Sequence, residues 1–167
     1  FGNINGSQGQ SYIFCQPKIA RIAITPSNYS GEQRADGNTD WSGLQNLHVT
    51  AVFDPPTRRL ALYTNGVLLA ENIWVTVPMS SVNNLVSYIG RSLYSGDSYF
   101  NFTLDEVRIH NGAMSASEIA EVQALGPDQL INPPAAPTGL AATVGYAQTA
   151  LSWNASVGAA SYVIKRG

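Results

Sequence analysis

Two short apolar runs, Leu60 to Thr64 and Val67 to Ala70, are parted by Asn65-Gly66 alone. Asn-Gly accepts positive φ at both central positions of a two-residue type I′ turn, whose twist matches the flanking strands. Residues 60–70 are therefore predicted to form a β-hairpin. Other runs extend the β character. Lys18 to Thr25 is β-branched and apolar, and Leu47, Val49, Ala51 and Phe53 recur at the strand period of two. Val86 to Arg91 and Phe100 to His110 are further strand-like stretches. In the last, the apolar phase slips between Leu104 and Val107, which predicts a bulge near Asp105. Only one segment has helical spacing. Ser115-Ala116-Ser117-Glu118 is a capping box, Ile119, Val122 and Leu125 follow on one face, and Gly126-Pro127 ends the run. Many strands and one short helix predict an all-β, antiparallel β-sandwich. Phe53, Leu62, Ile89, Leu104, Val107 and Ile109 are its expected core.

Length and charge narrow the function. The 167 residues suffice for a sizeable core. Nine Lys and Arg against eleven Asp and Glu leave a formal charge of −2. That offers no basic footprint for a phosphate backbone, so nucleic acid is excluded as an expected partner. No apolar run approaches the ~20 residues that a membrane-spanning helix needs, so no membrane insertion is expected. The opening Phe1-Gly2-Asn3 has neither the basic nor the apolar part of a secretion signal and no initiating Met, and the chain is expected to be a piece of something longer. The single cysteine, Cys15, precludes an internal disulfide and reads as a small buried hydrophobe. Four of the nine prolines fall in residues 126–139. Proline fixes φ and removes a donor, so this stretch reads as a stiff linker with a domain boundary near Asn132. The expected organisation is a first domain over 1–126, a linker over 127–133 and a partial second domain over 134–167.

Several blocks carry a family likeness in this order: Leu62-Tyr63-Thr64-Asn65-Gly66, Tyr88-Ile89-Gly90-Arg91-Ser92, Gly96-Asp97-Ser98-Tyr99-Phe100-Asn101, the run from Leu104 to Asn111, and Ala113 to Ile119. The series resembles the second half of a laminin-G-like, concanavalin-A-like jelly-roll domain, over roughly residues 1 to 125. Two departures stand out. The Trp that the family usually places two positions before the His of its central strand is Asn46 here, and the family's early strands have no counterpart in the sequence. The tail resembles the opening of a fibronectin type III domain, on Pro134 to Leu140, Ala150-Leu151-Ser152-Trp153 and Ala160 to Lys165. That likeness implies an immunoglobulin-like sandwich with Trp153 and Tyr162 in its core.

Glycoside hydrolysis needs two carboxylates facing one bond. Asp105 and Glu106 are adjacent on a strand-like run, where neighbours point to opposite faces. His48 and His110 have no metal-ligand spacing, and no Gly-x-Ser-x-Gly elbow occurs. No catalytic residue is assigned. Arg108 is expected to pair with Glu106 on its own face. The family likeness implies one structural Ca²⁺, with Asp105 as its ligand, since calcium gathers six to eight oxygens from carboxylates and turn carbonyls. Sugar recognition needs flat aromatic faces and planar polar groups. Aromatics in polar, loop-like settings are Tyr29, Trp41, Trp74, Tyr94 and Tyr99, and of these Trp41, Trp74, Tyr94 and Tyr99, with Asp97, are the expected ligand-binding face.

The sequence therefore leads to an expected non-enzymatic role. The chain reads as a carbohydrate-binding or adhesion module of a larger secreted or cell-surface bacterial protein, appended to a polysaccharide-degrading enzyme. Its expected partners are a polysaccharide or glycan, and other domains or neighbouring copies. The competing reading is a structural spacer or surface-filament component without a ligand. Fold alone does not decide between them.

Overall fold

The computed structural model describes residues 1–129, 135–146, 148–157, 159 and 162–164. The chain divides into two compact units, Phe1–Gln129 and Leu130–Gly167. Part of the expected linker over 127–133, including the boundary at Asn132, lies outside the described residues.

The first unit contains two antiparallel sheets. One runs in the order β1 (Gly2–Asn5), β2 (Gln8–Gln16), β3 (Arg21–Thr25) and β4 (Gln33–Asp36). The other comprises β5 (Val49–Asp54), β6 (Arg59–Thr64) and β7 (Val67–Asn72). Ile22, Ile24 and Ala35 from the first sheet meet Leu60 and Leu62 from the second, and Val75 and Val77 close the same core. The antiparallel β-sandwich expected from the sequence is present.

β6 is buried on both faces. Leu60 and Leu62 point into the sandwich, whereas Ala61 and Tyr63 pack with Val52 and Ile119 on the other side. Ile119 belongs to α1 (Ala116–Leu125), so α1 covers the outer face of the three-stranded sheet. The capping box that starts α1 is complete. Ser115 Oγ accepts from the Glu118 N–H at 3.3 Å, and the Ser115 N–H donates to Glu118 Oε2 at 2.7 Å. Ile119 and Val122 are buried, but Leu125 is exposed.

The hairpin forms at the expected place. Asn65 has φ 49° and Gly66 φ 79°. Asn65 also fastens β5, because its Oδ1 accepts from the His48 N–H at 2.9 Å while its own N–H donates to the His48 carbonyl at 2.8 Å. A Cβ at Gly66 would lie 3.3 Å from the Ala120 Cα, so the helix packs directly on the turn.

Four expectations need correction. Residues 100–110 form no strand, and Leu104, Val107 and Ile109 are exposed. Ile89 is exposed too, and the stretch around it contributes only a bridge from Val86 to Gly2. Period-two alternation prepares a run to be a strand, but a ladder also needs paired backbone groups, and among the described residues no backbone hydrogen bond ties 101–110 to another segment. In β5 the best-buried apolar residue is Val52 rather than the Leu47/Val49/Ala51/Phe53 set, because α1 gives this sheet a second covered face. Cys15 is exposed. β1 pairs only with the first part of β2, so Cys15 lies where β2 has no neighbour on that side.

The second unit, in its described residues, is a hairpin of β8 (Thr138–Gly145) and β9 (Gln148–Asn154). The Trp153 and Tyr162 rings meet edge-on at 5.4 Å, and the Ser156 N–H donates to the Tyr162 hydroxyl at 2.6 Å. Leu140 and Ile164 are exposed.

Two substitutions test this packing. Leu62→Ala should lower the unfolding free energy by about 2–5 kcal/mol in denaturant titration, as a buried leucine cut to alanine does. Gly66→Ala should cost about 1–2 kcal/mol from the left-handed backbone alone, and more where the new methyl presses on Ala120. An unchanged midpoint for either would contradict the burial of β6 or the closure of α1 over the turn.

Candidate functional site

The face of the four-stranded sheet turned away from the core carries polar and aromatic groups. Cross-strand pairing puts Tyr12 beside Thr25, Phe14 beside Ala23, and Arg21 beside Asp36. Side chains alternate along a strand, so these residues share the face opposite Ile22 and Ile24. Glu32, Arg34 and Asp36 follow at period two and bring two acids and a base to the same face.

They form one network. Arg21 Nη1 donates to Glu32 Oε2 at 3.3 Å and Arg21 Nε to Asp36 Oδ1 at 2.5 Å. Arg34 lies 3.8 Å from Glu32 and 3.2 Å from Asp36. The Tyr12 hydroxyl donates to Glu32 Oε1 at 2.8 Å, and the Tyr94 hydroxyl lies 3.2 Å from that of Tyr12. The Tyr29 ring centre is 6.0 Å from each guanidinium carbon, and Arg34 Nη1 reaches the Tyr29 hydroxyl at 3.4 Å.

Burial fixes the chemistry. The Glu32 side chain is only 2% exposed. Desolvation pushes its carboxyl above the usual carboxylate range, against the opposing pull of Tyr12, Arg21 and Arg34. Desolvation and the partners Tyr94 and Glu32 push the Tyr12 phenol upward. Hydrogen bonds from Arg21 and then Arg34 lower the Tyr29 phenol. Two carboxylates answer two guanidiniums, and neither Glu32 oxygen is open to a substrate. This is a paired floor beneath an exposed Tyr29.

The expected ligand residues do not assemble into one face. Trp41 is 6% exposed and sits in the core with Ala20, Ile22 and Leu60, so it has no free ring to offer a ligand. Its neighbours Asp40 and Ser42 give it a surface look in sequence, but its indole Nε1 is buried without a hydrogen-bond partner. Tyr94 is half-buried and packs as an anchor: its ring meets Tyr12 at 6.1 Å, and a Cβ at Gly9 would strike it at 3.0 Å. Asp97 is exposed in the turn that Tyr94 opens, where its N–H donates to the Tyr94 carbonyl at 3.2 Å. Tyr99 is 73% exposed with its ring over Arg91.

Trp74 is 71% exposed. Its N–H donates to Asn72 Oδ1 at 2.9 Å, which turns the chain at the end of β7. Arg58, at φ 58°, sits beside it. The guanidinium donates from Nη2 to the Trp74 carbonyl and from Nε to the Val75 carbonyl, both at 3.3 Å, with its carbon 6.0 Å from the indole ring. Arg58 also lines an open depression of about 250 Å³, together with Phe53, Pro55, Val75, Thr76 and Pro78. Sequence reading missed Arg58. Its only local signal is the Pro55-Pro56-Thr57 turn that precedes it.

Asp105 is exposed, and Arg108 pairs with Glu106, which also accepts from the Asp128 N–H at 2.9 Å. Calcium needs many oxygens in one place. Among the described residues no three His, Cys, Asp or Glu side chains gather in one place, so a cation at Asp105 would draw mainly on carbonyl oxygens.

The model for a laminin-G-type family, described as the concanavalin A-like lectin/glucanases superfamily, matches residues 3–120. The chain belongs to that superfamily. A stretch of 101 residues is 33% identical to an alpha-L-arabinofuranosidase of Bifidobacterium longum subsp. longum, which covers 60% of this chain and 9% of that protein. Residues 221–444 of an S-layer domain-containing protein from Clostridium thermocellum superpose at a TM-score of 0.43 with 22% identity, over 74% of this chain and 66% of that one. The concanavalin A-like chain thus spans less than two thirds of both relatives. Among its described residues no helix is long and apolar enough to cross a membrane.

Tyr12→Phe tests the network of this concanavalin A-like unit. It removes a donor from a buried carboxylate, which should cost about 1–3 kcal/mol of stability. Chemical denaturation equal to the parent would show that Glu32 does not depend on that hydroxyl.

Proposed function

We propose that the first unit is a non-catalytic carbohydrate-binding module of a larger secreted or cell-surface bacterial protein, with Trp74 as its stacking platform. One observation carries the reading. An indole ring lies largely open to solvent, beside a guanidinium that is held by two backbone carbonyls and also lines an open depression. An exposed aromatic ring beside planar polar donors is what a pyranose needs, since its C–H face stacks and its hydroxyls take hydrogen bonds. The pairing of Glu32 and Asp36 with Arg21 and Arg34 supports a role without catalysis, because neither acid is free to donate a proton or attack. The shared superfamily and the partial match to a protein named as an arabinofuranosidase favour a polysaccharide ligand in the context of a degrading enzyme. The fibronectin type III likeness of 134–167 belongs to the same proposal, and the edge-on Trp153–Tyr162 pair supports it.

Affinity electrophoresis in gels containing arabinan, arabinoxylan or other neutral plant polysaccharides tests the reading. Polygalacturonate completes the panel, and the parent chain should be retarded by at least one member of it. Trp74→Ala should weaken that retardation by about tenfold or more, the effect of losing a central aromatic contact, with its melting temperature unchanged. Migration of the parent unaffected across the panel would favour a structural spacer.

A further inference from the structure

Apart from Trp74 and Arg58, the loop over residues 88–100 presents a second feature. It is pinned at several points. The Phe100 N–H donates to the Gly90 carbonyl at 2.9 Å, and the Ser95 N–H to the Ser7 carbonyl at 3.0 Å. Leu93 and Tyr94 close over Gly9, where an added Cβ would meet them at 3.1 and 3.0 Å. Gly90 takes φ 74°, and a Cβ there would meet the Phe102 ring at 3.0 Å. The Gly90–Phe100 bond sets Arg91 and Tyr99 side by side.

The result is an arginine between two tyrosines. The Arg91 guanidinium carbon lies 4.8 Å from the Tyr88 ring centre and 5.7 Å from that of Tyr99. Both rings and Arg91 itself face solvent. Among the described residues Arg91 pairs with no carboxylate, not even Asp97 in its own loop, and its guanidinium makes no hydrogen bond to the protein. The other arginines among the described residues are spoken for. Arg21, Arg34, Arg59 and Arg108 have acidic partners, and Arg58 holds two carbonyls.

We infer that the Tyr88–Arg91–Tyr99 clamp binds the carboxylate of an acidic sugar residue, so that the module's ligand is a uronate-bearing polysaccharide. The inference rests on the carbohydrate-binding reading and narrows its ligand. A guanidinium presents planar, forked donors that match a planar carboxylate two bonds at a time. Aromatic neighbours hold the plane of the fork while leaving its N–H edges free. The exposed Tyr99 ring lies where the apolar face of the same sugar would stack. A sulfate ester can also accept two bonds from the fork, so preference for the uronate comes from a carboxylate fixed on the ring that stacks on Tyr99.

Titration calorimetry with the full chain tests this, using oligogalacturonate, its fully methyl-esterified form and dextran sulfate. The parent should bind oligogalacturonate at least about tenfold more tightly than the methyl ester, which has the same backbone without the charge, and should prefer it to dextran sulfate. Arg91→Gln should abolish that preference, and Arg91→Lys should lose most of it, because a point charge lacks the fork. Trp74→Ala should keep it. Circular dichroism melts of each variant confirm folding. Equal affinity for acid and ester, an Arg91→Gln chain that still prefers the acid, or binding to dextran sulfate as tight as to oligogalacturonate would overturn the inference while leaving a neutral-sugar module intact. Binding to neither these ligands nor any neutral polysaccharide would overturn both.

Discussion

The first unit depends on β6. Its four central residues are buried toward two different partners, with Leu60 and Leu62 facing the opposing sheet and Ala61 and Tyr63 facing α1. A strand covered on both sides is held by side-chain packing as well as by its two ladders, and it forces the sequence to be apolar at consecutive positions. The Asn65-Gly66 turn follows from the same constraint. A two-residue loop brings β7 directly back beside β6, and the missing side chain at Gly66 leaves Ala120 room to pack on the turn. The helix, the hairpin and the sandwich core are three consequences of one buried strand.

The outer face of the four-stranded sheet answers a different problem. Burying Glu32 is expensive unless its charge is paired and its oxygens are bonded. Arg21, Arg34 and the Tyr12 hydroxyl supply those partners, and Asp36 balances the second guanidinium. The closed network fixes where Tyr94 sits, and Tyr94 helps to anchor the loop that displays Tyr99 and Arg91. Groups open to a ligand therefore stand on groups that are not.

What the sequence discloses is what local chemistry decides. The Asn65-Gly66 turn and the Ser115–Glu118 capping box are complete within four residues, and both form where expected. Features set by distant neighbours are less legible. Residues 100–110 alternate like a strand yet have no ladder among the described residues, and Val52 is buried by a helix more than sixty positions away in the chain. Trp41 sits among polar neighbours in sequence and in the core in space, whereas Trp74 is exposed in both. The Glu32-x-Arg34-x-Asp36 alternation was a readable sign of a charged strand face, but its partner Arg21 is found only through strand pairing. Arg58 and Arg91 become visible only once the carbonyls and rings around them are placed.

Trp74, not Trp41, should meet the sugar. The three indole N–H signals in a ¹⁵N correlation spectrum report this directly during a titration with a retained polysaccharide fragment. The Trp74 indole signal should shift in proportion to bound ligand, while that of Trp41, enclosed in the core, stays in place. A titration that binds ligand yet leaves Trp74 unmoved would contradict the assignment of the site.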